Sequence, residues 1–387
     1  MVTLMPKIMP VFGTRPEAIK MAPLIKALEE KENIETITIV TAQHREMLDQ
    51  VLKLFKIKPV YDLNIMKPGQ SLTEIMTGVL AGIEEIISQE KPDLVLVHGD
   101  TSTTFASSLA AFYQKIPVGH VEAGLRTYSK YSPYPEEMNR KLTGCLADLH
   151  FAPTQTAKEA LLKEGVPAGQ IYVTGNTVID ALLQTVNKGY VFKNAILKQL
   201  DFDNKRIILI TAHRRENIGE RMEQIFQAVK VLVEQHDDIE VVYPVHLNPL
   251  VQERAQKIFG DIERVRMIPP LTYEEFVNLM DRCYLVLTDS GGLQEEAPAL
   301  GKPVLVLRDT TERPEAVIAG TVRLVGTDQE RIVAESTLLL TDPVVYQRMS
   351  TAINPYGDGK AAERICQAIL YYFRLNPTRP EEYSIET

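Results

Sequence analysis

Short apolar runs rich in valine and isoleucine alternate with longer amphipathic stretches along almost the whole chain. Because parallel strands are joined by crossover connections that are usually helices, this alternation predicts an α/β protein with parallel sheets. The length of the runs and their content of β-branched residues favour strands over buried turns of helix. The candidate strands read KIMPVFG, TITIVTA, DLVLVHGD, PVGHVEAG, IYVTGN, RIILITAH, IEVVYPVH, YLVLTDSGG and PVLVLRD.

Two segments, residues 93–124 and 283–310, repeat one design. Each runs from an apolar strand through an aspartate and a hydroxyl residue into a helix of small residues, and then through a Pro-Val pair into the next strand. Ordinary β–α–β units also converge on this order, which is the alternative explanation. We interpret the repeat as two Rossmann-like, doubly wound domains facing each other across a cleft, where ligand pockets commonly form.

The length of 387 residues exceeds what one hydrophobic core usually supports, so we expect two domains. Residues 186–205 are polar and lack a strand pattern, which suits a linker and places the boundary near residue 180. Residues 359–375 have helical apolar spacing and are expected to pack back on the first domain. The predicted segments are 1–180 for the N-terminal domain, 181–365 for the C-terminal domain and 366–387 for the returning helix.

A formal net charge of -9 argues against nucleic acid or an anionic membrane as a partner, because both require a basic surface. An anionic ligand must then be met by a few placed basic residues. No run approaches the roughly 18 apolar residues of a membrane span, and the N-terminus lacks the pattern of a signal peptide, so we expect a cytoplasmic protein. Three widely separated cysteines favour a reducing compartment over a disulfide framework or a zinc site, and no catalytic metal is expected.

Two glycine turns stand between a strand and a helix. After the first strand, Gly13 is followed by Arg15 and Lys20, whose side chains can reach a diphosphate; a simple helix start explains the same residues. Residues 290–292 form the second turn, and backbone N–H groups at such a helix N-terminus can bind an anion. Carboxylates follow directly, and Arg313 comes from the next loop.

Acidic residues follow two neighbouring candidate strands. Asp100 and Glu122 stand at the strand ends, and Glu136 begins a helix shortly after. Close carboxylates raise one another's proton affinity, which suits general acid and base catalysis. Each residue also has a structural explanation, as a helix cap, a surface acid or a partner of the helix dipole. We favour catalysis because all three are expected to converge.

Histidines also stand at strand ends. His213 follows a strand of the second half and can neutralise a phosphate or move a proton, unless it is a satisfied structural histidine. His246 occupies a similar position, and His44 is a third. The motifs so far therefore suggest a diphosphate clamp, several acids and a histidine.

Taken together, the motifs resemble one family. They are FGTRPEAIKMAPL, TAQHREMLDQ, VHGDTSTT, GHVEAGLRT, PEEMNR, GNTVIDAL, HRREN, YPVHLNP, LTDSGGLQEEAPALGKPVLVLRDTTERPEA, GTVRLVG and NPYGDG. In this order, from about residue 8 to residue 375, the sequence resembles the non-hydrolysing UDP-N-acetylglucosamine 2-epimerases of bacteria and archaea.

The resemblance implies a glycosyltransferase-B type fold and a reversible conversion of UDP-N-acetylglucosamine to UDP-N-acetylmannosamine for surface polysaccharide synthesis. It implies elimination of UDP to a 2-acetamidoglucal followed by re-addition, without a cofactor. By family position, Asp100, Glu122, Glu136 and His213 are the catalytic and sugar-positioning residues. The residues implied to bind UDP are Arg15, Lys20, His213, Phe276, Ser290, Gly291, Gly292, Glu296 and Arg313.

The sequence departs from the family pattern at a few positions. Leu271 stands where relatives can carry a glutamine that meets the base, so that contact would fall to backbone groups. Gln43, His44 and His246 match positions of an activator site for a second substrate molecule, whereas Glu46 and Gly69 replace residues that help in certain relatives. Family members are usually homodimers.

Three other functions stay open at this point. A UDP-sugar glycosyltransferase of the same fold would need an acceptor, and a hydrolysing epimerase would release the free sugar. A non-catalytic UDP-sugar sensor would bind without turnover. The three acids favour the epimerase. We expect Glu295, which lies about 100° around the helix from Glu296, to be structural and paired with a nearby arginine.

Overall fold

The computed structural model describes residues 5–42 and 45–385. The chain forms two compact units, Met1–Leu183 with Tyr356–Thr387, and Gln184–Pro355. The first division lies close to the predicted boundary near residue 180. The second comes ten residues before the predicted one, so residues 356–365 group with the first unit.

The first unit is built on one parallel sheet of eight strands. Its strands are β1 (Lys7–Phe12), β2 (Glu35–Thr36), β3 (Ile39–Val40), β4 (Tyr61–Asp62), β5 (Leu94–His98), β6 (Val118–Val121), β7 (Leu149–Ala152) and β8 (Ile171–Val173). They are ordered β4-β3-β1-β5-β6-β7-β8, and β2 pairs with the start of β1. The order reverses between β1 and β5, which makes this pair the topological switch point of the sheet.

Helices connect these strands, and several begin at a hydroxyl residue that caps the first turn. The helices are α1 (Arg15–Glu29), α2 (Arg45–Leu54), α3 (Leu72–Glu90), α4 (Ser102–Tyr113), α5 (Glu136–Leu146), α6 (Gln155–Lys163), α7 (Thr177–Thr185, across the division) and α15 (Ala361–Tyr372). Thr14 and Ser71 open capping boxes with Glu17 and Glu74, in which side chain and backbone satisfy each other at the helix start.

The second unit repeats the design with a six-stranded parallel sheet in the order β11-β10-β9-β12-β13-β14. Its strands are β9 (Arg206–Thr211), β10 (Ile239–Pro244), β11 (Val265–Ile268), β12 (Leu285–Thr288), β13 (Val304–Val306) and β14 (Val322–Leu324). Its helices are α8 (Glu220–Gln235), α9 (Pro249–Phe259), α10 (Tyr273–Arg282), α11 (Leu293–Ala299), α12 (Pro314–Ile318), α13 (Gln329–Thr341) and α14 (Pro343–Ser350). The order of strands reverses between β9 and β12.

The central strands are mostly apolar because helices cover both faces of each sheet. All five residues of β5 are buried, as are Ile207–Ile210 of β9. Within the described residues, no helix is both long enough and apolar enough to cross a membrane.

The C-terminal segment returns to the first unit. The carboxylate of Asp180 accepts hydrogen bonds from the backbone N–H groups of Ala361 (3.2 Å) and Ala362 (2.8 Å), at the start of α15. Helix α15 packs against α1. The last helix, which the sequence predicted to pack back on the N-terminal domain, thus contacts α1 within the first unit.

Candidate active site

The turn after β1 is held by a carboxylate from its own helix. Glu17 is almost fully buried and accepts hydrogen bonds from the backbone N–H groups of Gly13 (3.0 Å) and Thr14 (2.8 Å). Arg15 follows directly and is exposed. The amides of this turn are thus satisfied internally, and Arg15 offers a side-chain cation beside them.

Asp100 follows β5 at the other side of the switch point. Its carboxylate forms an ion pair with Arg140 of α5, and its carbonyl oxygen accepts from Asn139 at 2.9 Å. The preceding Gly99 has a φ of +68°, a conformation that glycine adopts readily. The carbonyl of Gly99 lies 2.7 Å from Nε2 of His120, which donates to it. Asp100 is therefore placed by contacts to its carboxylate and to the backbone on both sides.

Glu122 follows β6 and has a φ of +62°, which is uncommon for a residue with a side chain. Its carboxylate forms an ion pair with Lys20 and accepts a hydrogen bond of 2.7 Å from the Asn176 amide. Nε2 of His98 lies 3.9 Å from the same carboxylate oxygen. A Cβ added at Gly99 would lie 3.7 Å from the other oxygen, so the carboxylate rests against the turn that carries Asp100.

Glu136 opens α5, the helix that supplies Arg140 one turn later. Residues four apart lie on one face of a helix, so Glu136 projects from the face whose Arg140 contacts Asp100. One carboxylate oxygen of Glu136 is buried and makes no hydrogen bond within the described chain. The first unit thus brings Asp100 and Glu122 together and places Glu136 on the neighbouring helix face.

Three buried histidines lie on adjacent strands behind these acids. Burial lowers the pKa of His98 to about 4, that of His120 to about 3 and that of His150 to about 4. These imidazoles are neutral at neutral pH. Our sequence reasoning did not single them out, although His98 and His120 stand inside the VHGD and GHVEAG motifs.

Asp289 is the centre of the second unit's switch point. It is fully buried at the end of β12, and one carboxylate oxygen accepts from the backbone N–H groups of His213 (2.9 Å) and Arg214 (2.8 Å). The Asn217 amide donates to the same oxygen at 3.1 Å. The sequence reasoning missed this residue because it read the TDSGG stretch for its glycines.

His213 lies at the edge of this arrangement. Its Nδ1 is 3.4 Å from the second carboxylate oxygen of Asp289, and its ring stacks on His246 with centroids 5.4 Å apart and planes at 11°. Burial lowers the pKa of His213, although the charge of Asp289 opposes this. A neutral imidazole oriented by a carboxylate can donate a hydrogen bond or accept a proton.

The turn at residues 290–292 follows Asp289. The backbone N–H of Ser290 donates to the Thr288 hydroxyl at 2.9 Å, and Gln294 donates to the Ser290 carbonyl at 3.1 Å. Neither Gly291 nor Gly292 has a positive φ, and a Cβ at Gly292 would meet no described atom within 4 Å. Folding of the described chain therefore does not by itself require glycine at Gly292.

The two acids of α11 have different surroundings. Glu295 is buried and forms an ion pair with Arg313, so the prediction that it pairs with a nearby arginine is confirmed. Glu296 is half-buried, and its charge adds to burial in raising the pKa of Tyr273 well above its ordinary value. Arg313, predicted to meet a diphosphate, is thus also part of the internal charge balance of α11.

The remaining candidates are a few uncharged residues and the two that the structure does not describe. Leu271 and Phe276 are half-buried, just before and within the first turn of α10. Gly69 has a φ of +72° in an open position. Gln43 and His44 lie outside the described residues. No group of three or more His, Cys, Asp or Glu side chains suited to a metal ion occurs in the described ranges.

Comparison with known proteins gives one consistent family. The family model for UDP-N-acetylglucosamine 2-epimerase matches residues 26–370. The UDP-N-acetylglucosamine 2-epimerase of Bacillus subtilis (strain 168) is 57% identical over 378 residues, which cover 98% of each chain.

Solved structures agree with this result. The S. aureus MnaA–UDP co-structure has a TM-score of 0.88 and 53% identity, covering 98% of this chain and 100% of that one. The UDP-GlcNAc 2-epimerase from Neisseria meningitidis bound to UDP-GlcNAc has a TM-score of 0.83 and 53% identity, covering 94% and 99%. The predicted α/β fold of glycosyltransferase-B type is confirmed by these matches. The chain therefore belongs to the non-hydrolysing UDP-N-acetylglucosamine 2-epimerase family, as its motifs predicted.

Proposed function

We propose that this isomerase interconverts UDP-N-acetylglucosamine and UDP-N-acetylmannosamine by eliminating UDP and adding it back. The observation that carries the proposal is the pair of carboxylates at the ends of β5 and β6. Asp100 and Glu122 each have a dedicated cation, Arg140 and Lys20, and the Glu122 carboxylate rests against the Gly99 turn. Acids held in this way can take and return a proton without moving far.

The proposed chemistry needs one proton to leave C2 as the C1–O bond breaks. The electron pair of the C2–H bond forms the C1=C2 double bond of a 2-acetamidoglucal, and the UDP oxygen leaves with the C1–O pair. Return of a proton to the opposite face of C2 and re-attack of UDP at C1 gives the epimer. The reaction needs one group that removes a proton and another that donates a proton on the opposite face of the ring. Asp100, Glu122 and Glu136 can supply these groups between them.

The contacts of Lys20 favour a role other than the predicted binding of the diphosphate. The sequence suggested a diphosphate contact, whereas the structure pairs its ammonium group with Glu122. We infer that Lys20 serves the catalytic acid, and that Arg15 is the cation of this turn that meets the diphosphate. Its exposed position directly after amides occupied by Glu17 supports this assignment.

The second unit supports binding of the UDP part. We infer that the turn at residues 290–292 meets the diphosphate through the amides of Gly291 and Gly292, together with His213 and Arg313, since folding does not require glycine at Gly292. The Ser290 amide already donates to the Thr288 hydroxyl. Glu296 lies one turn further along α11, where a carboxylate can accept from ribose hydroxyls. Phe276 and the backbone near Leu271 are assigned to the uracil ring. Two related structures contain UDP and UDP-GlcNAc, respectively.

Incubation with UDP-N-acetylglucosamine in D2O, read by proton NMR, tests the reaction. We expect UDP-N-acetylmannosamine to accumulate and deuterium to replace the C2 proton in both sugars. Epimer without label at C2 would refute the elimination mechanism. Free N-acetylmannosamine in place of the nucleotide sugar would indicate a hydrolysing enzyme, and binding without any product would indicate a sensor.

Substitution of the acids tests the site. Asp100→Asn, Glu122→Gln and Glu136→Gln should each lower turnover by about 10²-fold or more while calorimetric UDP binding changes much less. Glu32→Gln makes the same chemical change at an exposed position and should leave both quantities unchanged. Retained turnover in all three acid variants would refute the assigned site.

We also propose that the enzyme is a homodimer with an activator site that includes Gln43, His44 and His246. Light scattering should give twice the 43.5 kDa mass of one chain. Activation should make the initial rate rise more steeply than hyperbolically with substrate concentration. Because His246 stacks on His213, His246→Ala should reduce this steepness; a hyperbolic wild-type curve would refute activation.

A further inference from the structure

Glu17 makes more contacts than the start of its own helix requires. One carboxylate oxygen accepts from the N–H groups of Gly13 and Thr14, as in an ordinary capping box extended by one amide. The other oxygen accepts from the hydroxyl group of Thr101, far along the chain, at 2.6 Å. It also lies 3.2 Å from the hydroxyl group of Thr104, which donates to the His98 carbonyl at 2.5 Å. The carboxylate is thus shared between two distant segments.

These two segments are the turns on either side of the switch point. The first follows β1 and carries Arg15, and the second follows β5 and carries Asp100, whose next residue is Thr101. Because Glu17 is 2% exposed, its hydrogen bonds do not compete with bulk water. A single buried carboxylate therefore fixes the spacing between the turns of the candidate cation and the candidate catalytic acid.

The second unit contains the same device. There the carboxylate of Asp289, at the end of β12, accepts from the N–H groups of His213 and Arg214 after β9. In both units a buried carboxylate accepts hydrogen bonds from two amides in the turn after the first strand. Glu17 is also hydrogen-bonded to the turn across the switch point, and Asp289 is itself part of that turn. The recurrence in two units supports a role in placing the site, since an ordinary helix cap needs no such link.

We propose that Glu17 is a positioning residue for the epimerisation, holding the Asp100 turn in register with the Arg15 turn through Thr101. The inference rests on the proposed function, because Asp100 must take part in turnover for its position to matter. Glu17 does not contact the reacting atoms in this assignment. Its substitution should lower the rate of proton transfer by displacing Asp100, with a smaller effect on UDP binding through the Arg15 turn.

The test compares Glu17→Gln with the wild type. Misplacement of a reacting group by about 1 Å can cost 10²-fold, so we expect kcat to fall by about 10- to 100-fold. Because the same change loosens the turn that carries Arg15, KM and the UDP dissociation constant should also rise, but by less than kcat falls. Glu74→Gln is the matched control, because Glu74 forms a capping box with Ser71 at the exposed start of α3 without a long-range link. It should leave kcat unchanged.

A double-mutant cycle separates positioning from general damage. In an Asp100→Asn background, Glu17→Gln should lower kcat by no more than about twofold, because the carboxylate it positions is already removed. An equal loss of kcat in both backgrounds would overturn the proposal. If Glu17→Gln does not fold, Thr101→Ala tests the same link from the other side, with Thr154→Ala as the control for loss of a helix cap.

Hydrogen–deuterium exchange keeps the inference distinct from the proposed function. Glu17→Gln, or Thr101→Ala in its place, should speed amide exchange in the peptides that cover residues 12–16 and 99–105, whether or not the enzyme turns over. Unchanged exchange over 99–105 would overturn the link between the turns. Absence of turnover in the wild type would instead refute the proposed function, whatever the exchange shows.

Discussion

We predict that the first unit loses stability in mild acid because of its three buried histidines. His98, His120 and His150 lie on the adjacent strands β5, β6 and β7, and His120 pairs in register with His150. Burial lowers the pKa of each from 6.5 to between about 3 and about 4. The folded state therefore keeps them neutral in a pH range where the unfolded chain binds protons.

The sign and size follow from proton linkage. Between about pH 4 and 6.5 the unfolded state binds more protons than the folded state at these sites, so stability falls as the pH falls. At pH 5 each buried histidine lowers the free energy of unfolding by about 2 kcal/mol relative to its value at neutral pH, and the three together lower it by about 6 kcal/mol. This is comparable with the total stability of an ordinary domain, about 5–15 kcal/mol. Asp180 acts in the opposite direction, because burial raises its pKa to about 6 and the folded state binds its proton.

Substitution of one histidine isolates its share from these opposing groups. In His150→Gln the slope of unfolding free energy against pH should decrease by about 1.2 kcal/mol per pH unit between about pH 4.5 and 6. The chain has no tryptophan, so urea unfolding is followed by far-UV circular dichroism, and hydrogen exchange of β7 peptides reports on the first unit alone. His236→Gln, at a partly exposed position in the second unit, is the control.

The control variant should keep the wild-type slope in peptides of the first unit. If His150→Gln also keeps that slope, His150 is protonated at similar pH in the folded and unfolded states. Burial would then not lower its pKa, and the reasoning for the whole row of histidines would fail.

Two further predictions concern stability. Gly124→Ala should destabilise the first unit by more than about 3 kcal/mol, because the new Cβ would lie 2.3 Å from the Ala157 carbonyl oxygen. Gly165 is the control, since it has nearly the same positive φ and a Cβ there would meet no atom within 4 Å; Gly165→Ala should cost only the backbone strain of about 1–2 kcal/mol. Equal losses of stability in thermal melts of the two variants would contradict this. Asp289→Asn should destabilise the second unit by about 2–4 kcal/mol in urea, since a neutral amide oxygen would replace the charged carboxylate oxygen that accepts all three hydrogen bonds. A change below about 1 kcal/mol would contradict this.

The fold was predictable because its main strands are covered on both faces. Such strands appear as unbroken apolar runs, and all nine candidates became strands in parallel sheets. Most of the missed strands lack this signal. β2 and β4 have two residues each, and an arginine interrupts the short runs of β11 and β14. β7 contains a histidine, but so do the recognised strands β5 and β6, so the histidine does not explain why β7 was missed.

The site was predictable only in part. The ends of parallel strands meet at one sheet edge, so strand-end residues such as Asp100 and Glu122 could be selected from the sequence. Their partners could not be selected, because the contacts join residues far apart. Lys20 pairs with Glu122 across 102 positions, and Glu17 looks like a local helix cap until Thr101 is seen 84 positions away.

Glu17 and Asp289 also explain how these switch points can serve the proposed reaction, in which UDP leaves the sugar and returns. The turns after β1 and β9 have N–H groups that an anion would otherwise satisfy, yet Glu17 and Asp289 already bind them. Their shape therefore does not depend on the diphosphate. Binding of the proposed ligand then falls to side chains and to the turn at residues 290–292, while the acids of the first unit keep their positions through elimination and re-addition.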